Sequence, residues 1–195
     1  DLANYPRTIN QDLNQLSELG VDYCLILNEA EMYADNYRYQ ILENELANML
    51  EGPIRPGHFS GMLTIVLKLL LGVGAQKAYF GEKDYQQYLL VDGMVKSFFI
   101  DCEIIPCPII REVSMLPFSS RNARLTASQR QIADAFAHIF NQAQLTLTDI
   151  ESHLKELPLT IDYLIEFKQR RIVAVRIGEV RLLDNYAIKD LEDGF

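Results

Sequence analysis

The chain has 195 residues and a mass of 22.4 kDa. Its 49% apolar and 23% charged residues exclude disorder as a description of the whole and fit one large domain or two small ones. A formal charge of −9 and a pI of 4.8 argue against a duplex nucleic-acid partner, because counterion release needs clustered Lys and Arg. The longest apolar run is broken by Lys68 and falls far short of the roughly 20 residues of a membrane span, so no membrane partner is expected.

In chain order, Thr8 is placed to cap a helix carrying Leu13, Leu16 and Leu19, which Gly20 stops. The apolar run Val21 to Leu27 reads as a short buried strand, and Asn28 to Asn36 as a loop. The period of Ile41 to Leu50 predicts a helix ending at Gly52-Pro53. Arg55-Pro56-Gly57-His58 reads as a loop, and Phe59 to Leu71 as a helix apolar nearly all round, hence buried. Ala78 to Phe80 is a strand entering Gly81, Tyr85 to Phe99 a helix, and Cys102 to Ile110 a strand whose Pro106 and Pro108 suit an edge or boundary.

Beyond Ile110 the pattern changes. Arg111 to Asn122 lacks periodicity, Ser128 to Ala143 and Thr148 to Leu157 are helical, and Ile161 to Phe167 and Ile172 to Ile177 are strands around a turn at Lys168 to Arg171. Val180 to Leu183 adds a third strand. The expected fold class is α/β with a parallel sheet over residues 1–110, followed by a smaller α+β unit over 111–195. Cys24, Cys102 and Cys107, an odd number without framework spacing, read as reduced thiols of a cytosolic protein, and no Cys/His spacing suggests a metal.

Three constellations carry chemistry. In Phe80 to Gln87 a strand ends, Gly81 allows close backbone approach and a helix begins, so its amides suit phosphate. Lys83 adds a positive charge, Asp84 an acceptor for ribose hydroxyls, and Gln87 lies on the same helix face as Lys83. Taken alone, the stretch is more simply a strand-to-helix turn with a solvated lysine. Phe118-Ser119-Ser120-Arg121-Asn122 offers hydroxyls and a guanidinium that can bracket a polyphosphate, or a polar surface turn. Arg55 to Phe59 sets His58 before an apolar helix, as a ligand-facing imidazole, a cap or a structural histidine. His138 and His153 read as surface residues, and Asp190, Glu192 and Asp193 as a solvated tail.

Together and in this order, the three constellations resemble the pantothenate synthetase family, the ATP-dependent pantoate–β-alanine ligases. The resemblance extends over Tyr5-Pro6-Arg7-Thr8, Glu51-Gly52, Arg111-Glu112 and Arg181 to Asn185. It implies a Rossmann-like nucleotidyltransferase domain with a smaller closing domain, and a homodimer in the cytoplasm. It also implies two steps: pantoate carboxylate attacks the α-phosphate of magnesium-bound ATP and releases pyrophosphate, then the β-alanine amine attacks the acyl carbon and releases AMP. The ATP site it implies comprises Gly81, Glu82, Lys83, Asp84, Ile110, Phe118, Ser119, Ser120 and Arg121, of which Lys83, Ser119, Ser120 and Arg121 serve catalysis. The resemblance further implies that Gln87 binds pantoate and that Arg55 and His58 shape the site.

The sequence departs from the family twice. Ser114-Met115-Leu116-Pro117-Phe118 stands where the family has Asp-Gly-Leu-Ala-Met, so a stiffened or re-routed loop is expected. The family's His-x-Gly-His and Asn-Pro-x-Gln-Phe segments are not in this sequence. The expectation is therefore an N-terminally truncated chain, inactive or nearly so by itself. Alternative readings are an inactive ATP-binding domain or another nucleotidyltransferase of the same superfamily.

Overall fold

The computed structural model describes residues 8–188, so the Tyr5-Pro6-Arg7 stretch and the acidic tail lie outside the described residues. The chain forms two compact units, Asp1–Gln40 and Ile41–Phe195.

In the first unit, helix α1 (Ile9–Glu18) starts after Thr8, whose hydroxyl donates to Asp12 rather than capping a backbone amide. Gly20, at φ +71, ends it: its amide donates to Ser17 and that of Val21 to Leu16, the paired bonds of a Schellman stop. Two expectations fail here. Val21 to Leu27 is not a strand, because a strand exists only as one side of a ladder and no segment pairs with this one among the described residues; Tyr23 is 92% exposed. The polar stretch after it contains a short helix, α2 (Glu29–Met32), closed by a capping box between Asn28 and Glu31.

The second unit opens with a further correction. Ile41 to Leu50 is not a helix but an irregular path with one 3₁₀ turn, Leu46–Asn48, because the Glu43 carboxylate takes the amides of Glu45 and Ala47. Gly52-Pro53 does not stop a helix but sits inside α3 (Glu51–Ile54). Proline is tolerated there, where first-turn N–H groups have no intrahelical acceptor. Helix α4 (His58–Val73) follows, buried along one face through Phe59, Met62, Leu63 and Leu70; Leu71 and Val73 are exposed, so the all-round burial expected is not found.

Strand β1 (Lys77–Gly81), helix α5 (Tyr85–Ser97) and strand β2 (Glu103–Cys107) form a β-α-β unit with β1 and β2 parallel and Gly81 opposite Cys107. Pro106, with no N–H to donate, sits on β2, which pairs with β1 alone among the described strands. Phe59, Leu63, Leu90, Val91, Met94 and Ile104 build the core around this unit.

The loop after β2 closes on itself. Arg111 bridges Pro117, the Glu112 amide donates to Leu116, and Met115 holds the left-handed conformation at φ +70. Thus Met115 itself takes the left-handed turn, and the loop is held by its own bridge.

Helices α6 (Ala127–Phe140) and α7 (Leu147–Lys155) each begin with a threonine capping box. They pack on the antiparallel sheet of β3 (Thr160–Phe167), β4 (Arg170–Ile177) and β5 (Val180–Ala187), with β4 central. The β3–β4 turn is shorter than expected: only Lys168 and Gln169, both at positive φ, lie between the strands, as a tight hairpin demands. Phe136, Phe140, Ile150, Leu154, Val173 and Val175 form a second core.

Candidate active site

Gly81 ends β1 at its carboxyl edge, and a 3₁₀ turn of Glu82–Asp84 leads into α5. This is where open α/β sheets present ligands. A Cβ on Gly81 would meet nothing within 4 Å, so the space beside its backbone is open. Lys83 lines a crevice together with Ser119, Arg121, Asn122 and Arg181. Two of the three constellations, which are distant in sequence, therefore meet at one place. Lys83 makes no ion pair among the described residues.

Ser119 accepts the Arg121 amide at 3.2 Å and so caps the 3₁₀ turn Ser120–Arg124. The side chain of Asn122 donates to Glu112 and to the Pro117 carbonyl, pinning that turn to the bridged loop. Ile110 and Phe118 are 69% and 59% exposed, offering apolar surface without enclosing it. Gln87 is half-buried on α5. Its neighbour Gln86 is buried and structural, donating to the carbonyls of Leu46 and Met49 and accepting the Glu51 amide.

The third constellation joins through charge. Arg55 Nη1 lies 2.9 Å from His58 Nε2. A guanidinium only donates, so Nε2 accepts and the proton sits on Nδ1. Burial, and then the charge of Arg55, pull the His58 pKa below its ordinary value, so the imidazole is neutral at pH 7. Arg121, Glu51 and the exposed carboxylate of Asp84 act electrostatically on the same pair.

Five residues to which sequence reasoning assigned no role, Glu51, Tyr163, Arg170, Arg181 and Asn185, hold this arrangement. Glu51 is buried, its carboxylate accepting from Arg181 Nη1 and Nη2 at 2.5 and 2.7 Å and from the Tyr163 hydroxyl at 2.6 Å. Burial raises its pKa, but the bonds from Arg181 and Tyr163 outweigh burial and hold it below the ordinary value. Arg170 reaches the Glu82 carboxylate at 3.2 Å and lies over the Tyr85 ring. Asn185 Nδ2 donates to the carbonyls of Glu82 and Lys83 at 2.9 and 3.0 Å. The available signal was on β5: Asp184 shares the face of Val180 and Leu182, and a carboxylate on an apolar face requires a buried partner. That partner is Arg111, bound through both nitrogens at 2.8 Å.

Among the described residues no helix is long and apolar enough to cross a membrane, and no three His, Cys, Asp or Glu side chains gather as a metal cage. A Gly-marked strand-to-helix turn facing a Ser-Arg loop, beside an appended antiparallel sheet, defines a nucleotidyltransferase-like α/β protein. Its structure is similar to the pantoate-beta-alanine ligase of Francisella tularensis solved with beta-gamma ATP and beta-alanine: TM-score 0.90, 40% identity, 97% of this chain and 74% of that one. It is also similar to the pantothenate synthetase of Thermus thermophilus, with TM-score 0.91 and 33% identity over 97% of this chain and 78% of that one. In sequence it is 53% identical to the pantothenate synthetase of Legionella pneumophila (strain Corby) over 96% of this chain and 74% of the relative. The figure for Coxiella burnetii (strain Dugway 5J108-111) is 45%, over 95% and 71%. Residues 1–187 match the pantoate-beta-alanine ligase family, and the chain belongs to it.

Proposed function

We propose that the crevice of Lys83, Ser119 and Arg121 at the carboxyl edge of β1 is the phosphate end of the site for the ATP-dependent ligation of pantoate to β-alanine. The observation that carries the assignment is the meeting of Lys83 with Ser119 and Arg121 in one crevice beside the open backbone of Gly81. Lys83 and Arg121 take the phosphates and offset the charge that builds up as pantoate carboxylate attacks the α-phosphate and pyrophosphate leaves. Ser119 and Ser120 supply hydroxyl donors on the facing loop. Gly81 and the backbone of Glu82 border the nucleotide, Asp84 accepts from its ribose, and Ile110 and Phe118 give adenine an apolar surface. Gln87 hydrogen-bonds pantoate. Arg55 and the neutral His58 shape the entrance. The β-alanine amine then attacks the acyl carbon and AMP leaves. These roles follow the family resemblance, residue by residue.

Magnesium enters with ATP. It is ligated by nucleotide phosphates and water. The division near Ile110 into a nucleotide domain and a closing domain is supported by two cores, one built up to Ile104 and the other from Leu116 onward. The homodimer is carried by the resemblance, and sedimentation tests it. A cytoplasmic setting agrees with three unpaired cysteines.

Calorimetric titration of magnesium–ATP into the chain, with Lys83→Ala beside it, tests the assignment. A charged hydrogen bond contributes about 1.5–3 kcal/mol, so the variant is expected to bind roughly 10- to 150-fold more weakly. Equal affinities overturn the assignment.

A further inference from the structure

We infer that Asn185 is a positioning residue for the ligase reaction: from β5 it sets the orientation of the Lys83 turn, with Arg170 holding Asn185 in place. The inference rests on the phosphate role given to Lys83 above.

Asn185 is 1% exposed and every polar atom of its amide is engaged. Nδ2 donates to two consecutive carbonyls, Glu82 at 2.9 Å and Lys83 at 3.0 Å, and Oδ1 accepts Arg170 Nε at 2.8 Å. The guanidinium fixes which end of the amide is oxygen, so the donors face the turn without ambiguity. A trans peptide is planar, with its C=O and N–H pointing opposite ways. No cis peptide occurs among the described residues. With the Glu82 and Lys83 carbonyls drawn toward β5, the N–H groups of Lys83 and Asp84 are aimed away from it. One side chain thus orients two successive amides at the entrance to α5, where phosphate-binding N–H groups are placed. Arg170 adds a second hold on the same turn through the Glu82 carboxylate at 3.2 Å and the Tyr85 ring at 4.5 Å. The carboxylate of Glu82 is thereby committed to the sheet, and what the residue presents to a nucleotide is its backbone.

Asn185→Asp is the informative change. It keeps the size of the side chain and its acceptor for Arg170, but replaces the two donated bonds with a carboxylate facing two carbonyl oxygens. Magnesium–ATP affinity by calorimetry and amide hydrogen exchange by mass spectrometry are measured on the wild type, Asn185→Asp and Lys83→Ala. The expected result for Asn185→Asp is a three- to thirtyfold loss of affinity, with faster exchange over 82–85 and unchanged exchange over β3 to β5. A general loosening speeds exchange in the sheet as well and overturns the inference, as does wild-type affinity in Asn185→Asp. Loss of affinity in Lys83→Ala but not in Asn185→Asp overturns the positioning role alone. Wild-type affinity in Lys83→Ala overturns the phosphate assignment instead. Should Asn185→Asp fail to fold, Arg170→Gln is read by the same two measurements, with the same pattern expected and the same results overturning it.

Discussion

Replacing Arg181 with alanine tests how the C-terminal sheet is joined to the nucleotide-side core. The change removes both guanidinium bonds to Glu51 and the bond to Asp162, while Asp162 retains Arg176 and Glu51 retains only the Tyr163 hydroxyl. Glu51 is 6% exposed, so its charge is left buried without a hydrogen-bonded counter-ion, offset only by the more distant charge of Arg55. Stranding one partner of a buried pair costs about 3–5 kcal/mol, a large part of the roughly 5–15 kcal/mol that holds a domain folded. At about 2–4 °C per kcal/mol for a chain of this size, melting should fall by roughly 6–20 °C. Adding Glu51→Gln to Arg181→Ala removes the stranded charge and should recover much of the loss. The pH dependence has a definite sign. The folded Glu51 carboxyl titrates below its unfolded value, so the stability it gives wild type is full above about pH 4.3 and is lost as pH falls through the folded pKa. In Arg181→Ala burial acts unopposed by Arg181, and acid neutralises the stranded charge. The gap between wild type and variant therefore narrows as pH falls, first as the stranded carboxylate takes a proton and then as wild type loses its own contribution below about 4.3. Urea unfolding across pH checks both points. A loss under about 1 kcal/mol, or no recovery from Glu51→Gln, refutes the reasoning, since an exposed pair contributes no more than that.

The remaining predictions are local. Gly81→Ala meets open space at an ordinary φ of −67, so stability should hold or rise by about 0.4–1 kcal/mol while ATP affinity falls at least about tenfold from the added methyl. Gly52→Ala should do the reverse in the melt, because its Cβ would sit 2.0 Å from the Ala47 carbonyl oxygen; equal stability for the two variants contradicts the geometry. His58 should show the Nδ1–H tautomer in nitrogen-15 spectra and titrate below 6.5, and Arg55→Ala should move that midpoint upward.

The parts of the fold legible in the sequence are those whose cause is local. Phe80-Gly81 followed by a helical period announces β1 and α5 because one chain segment contains the strand, the turn and the amphipathic face. The same holds for Gly20, whose left-handed stop needs only its own helix. Val21 to Leu27 misleads because an apolar run specifies burial but not a partner strand. Ile41 to Leu50 misleads because Glu43 takes amides that a helix would have used, which apolar spacing does not register. The site divides the same way. Lys83 and the Ser119 to Arg121 loop are visible as motifs, whereas Asn185 lies more than 100 residues from the carbonyls it holds. No local pattern connects them. Only the inward-facing Asp184 hints that β5 carries more than packing.

That hint has a structural consequence. Asp184 and Asn185 are neighbours on a paired strand and therefore point to opposite sides of it. Asp184 holds Arg111, at the base of the bridged loop that leads to Ser119 and Arg121; Asn185 holds the turn of Lys83. Arg111 also donates to the Asn185 and Met115 carbonyls, so the loop is tied to the strand and to itself. The separation between Lys83 and Arg121, the charges proposed to take phosphate, is thus set by one dipeptide in a hydrogen-bonded ladder rather than by two independent loops. Charge stabilisation depends on donors already in place when the transition state forms. A strand braced on both sides supplies that, which makes the C-terminal sheet part of the site's construction and not merely its cover.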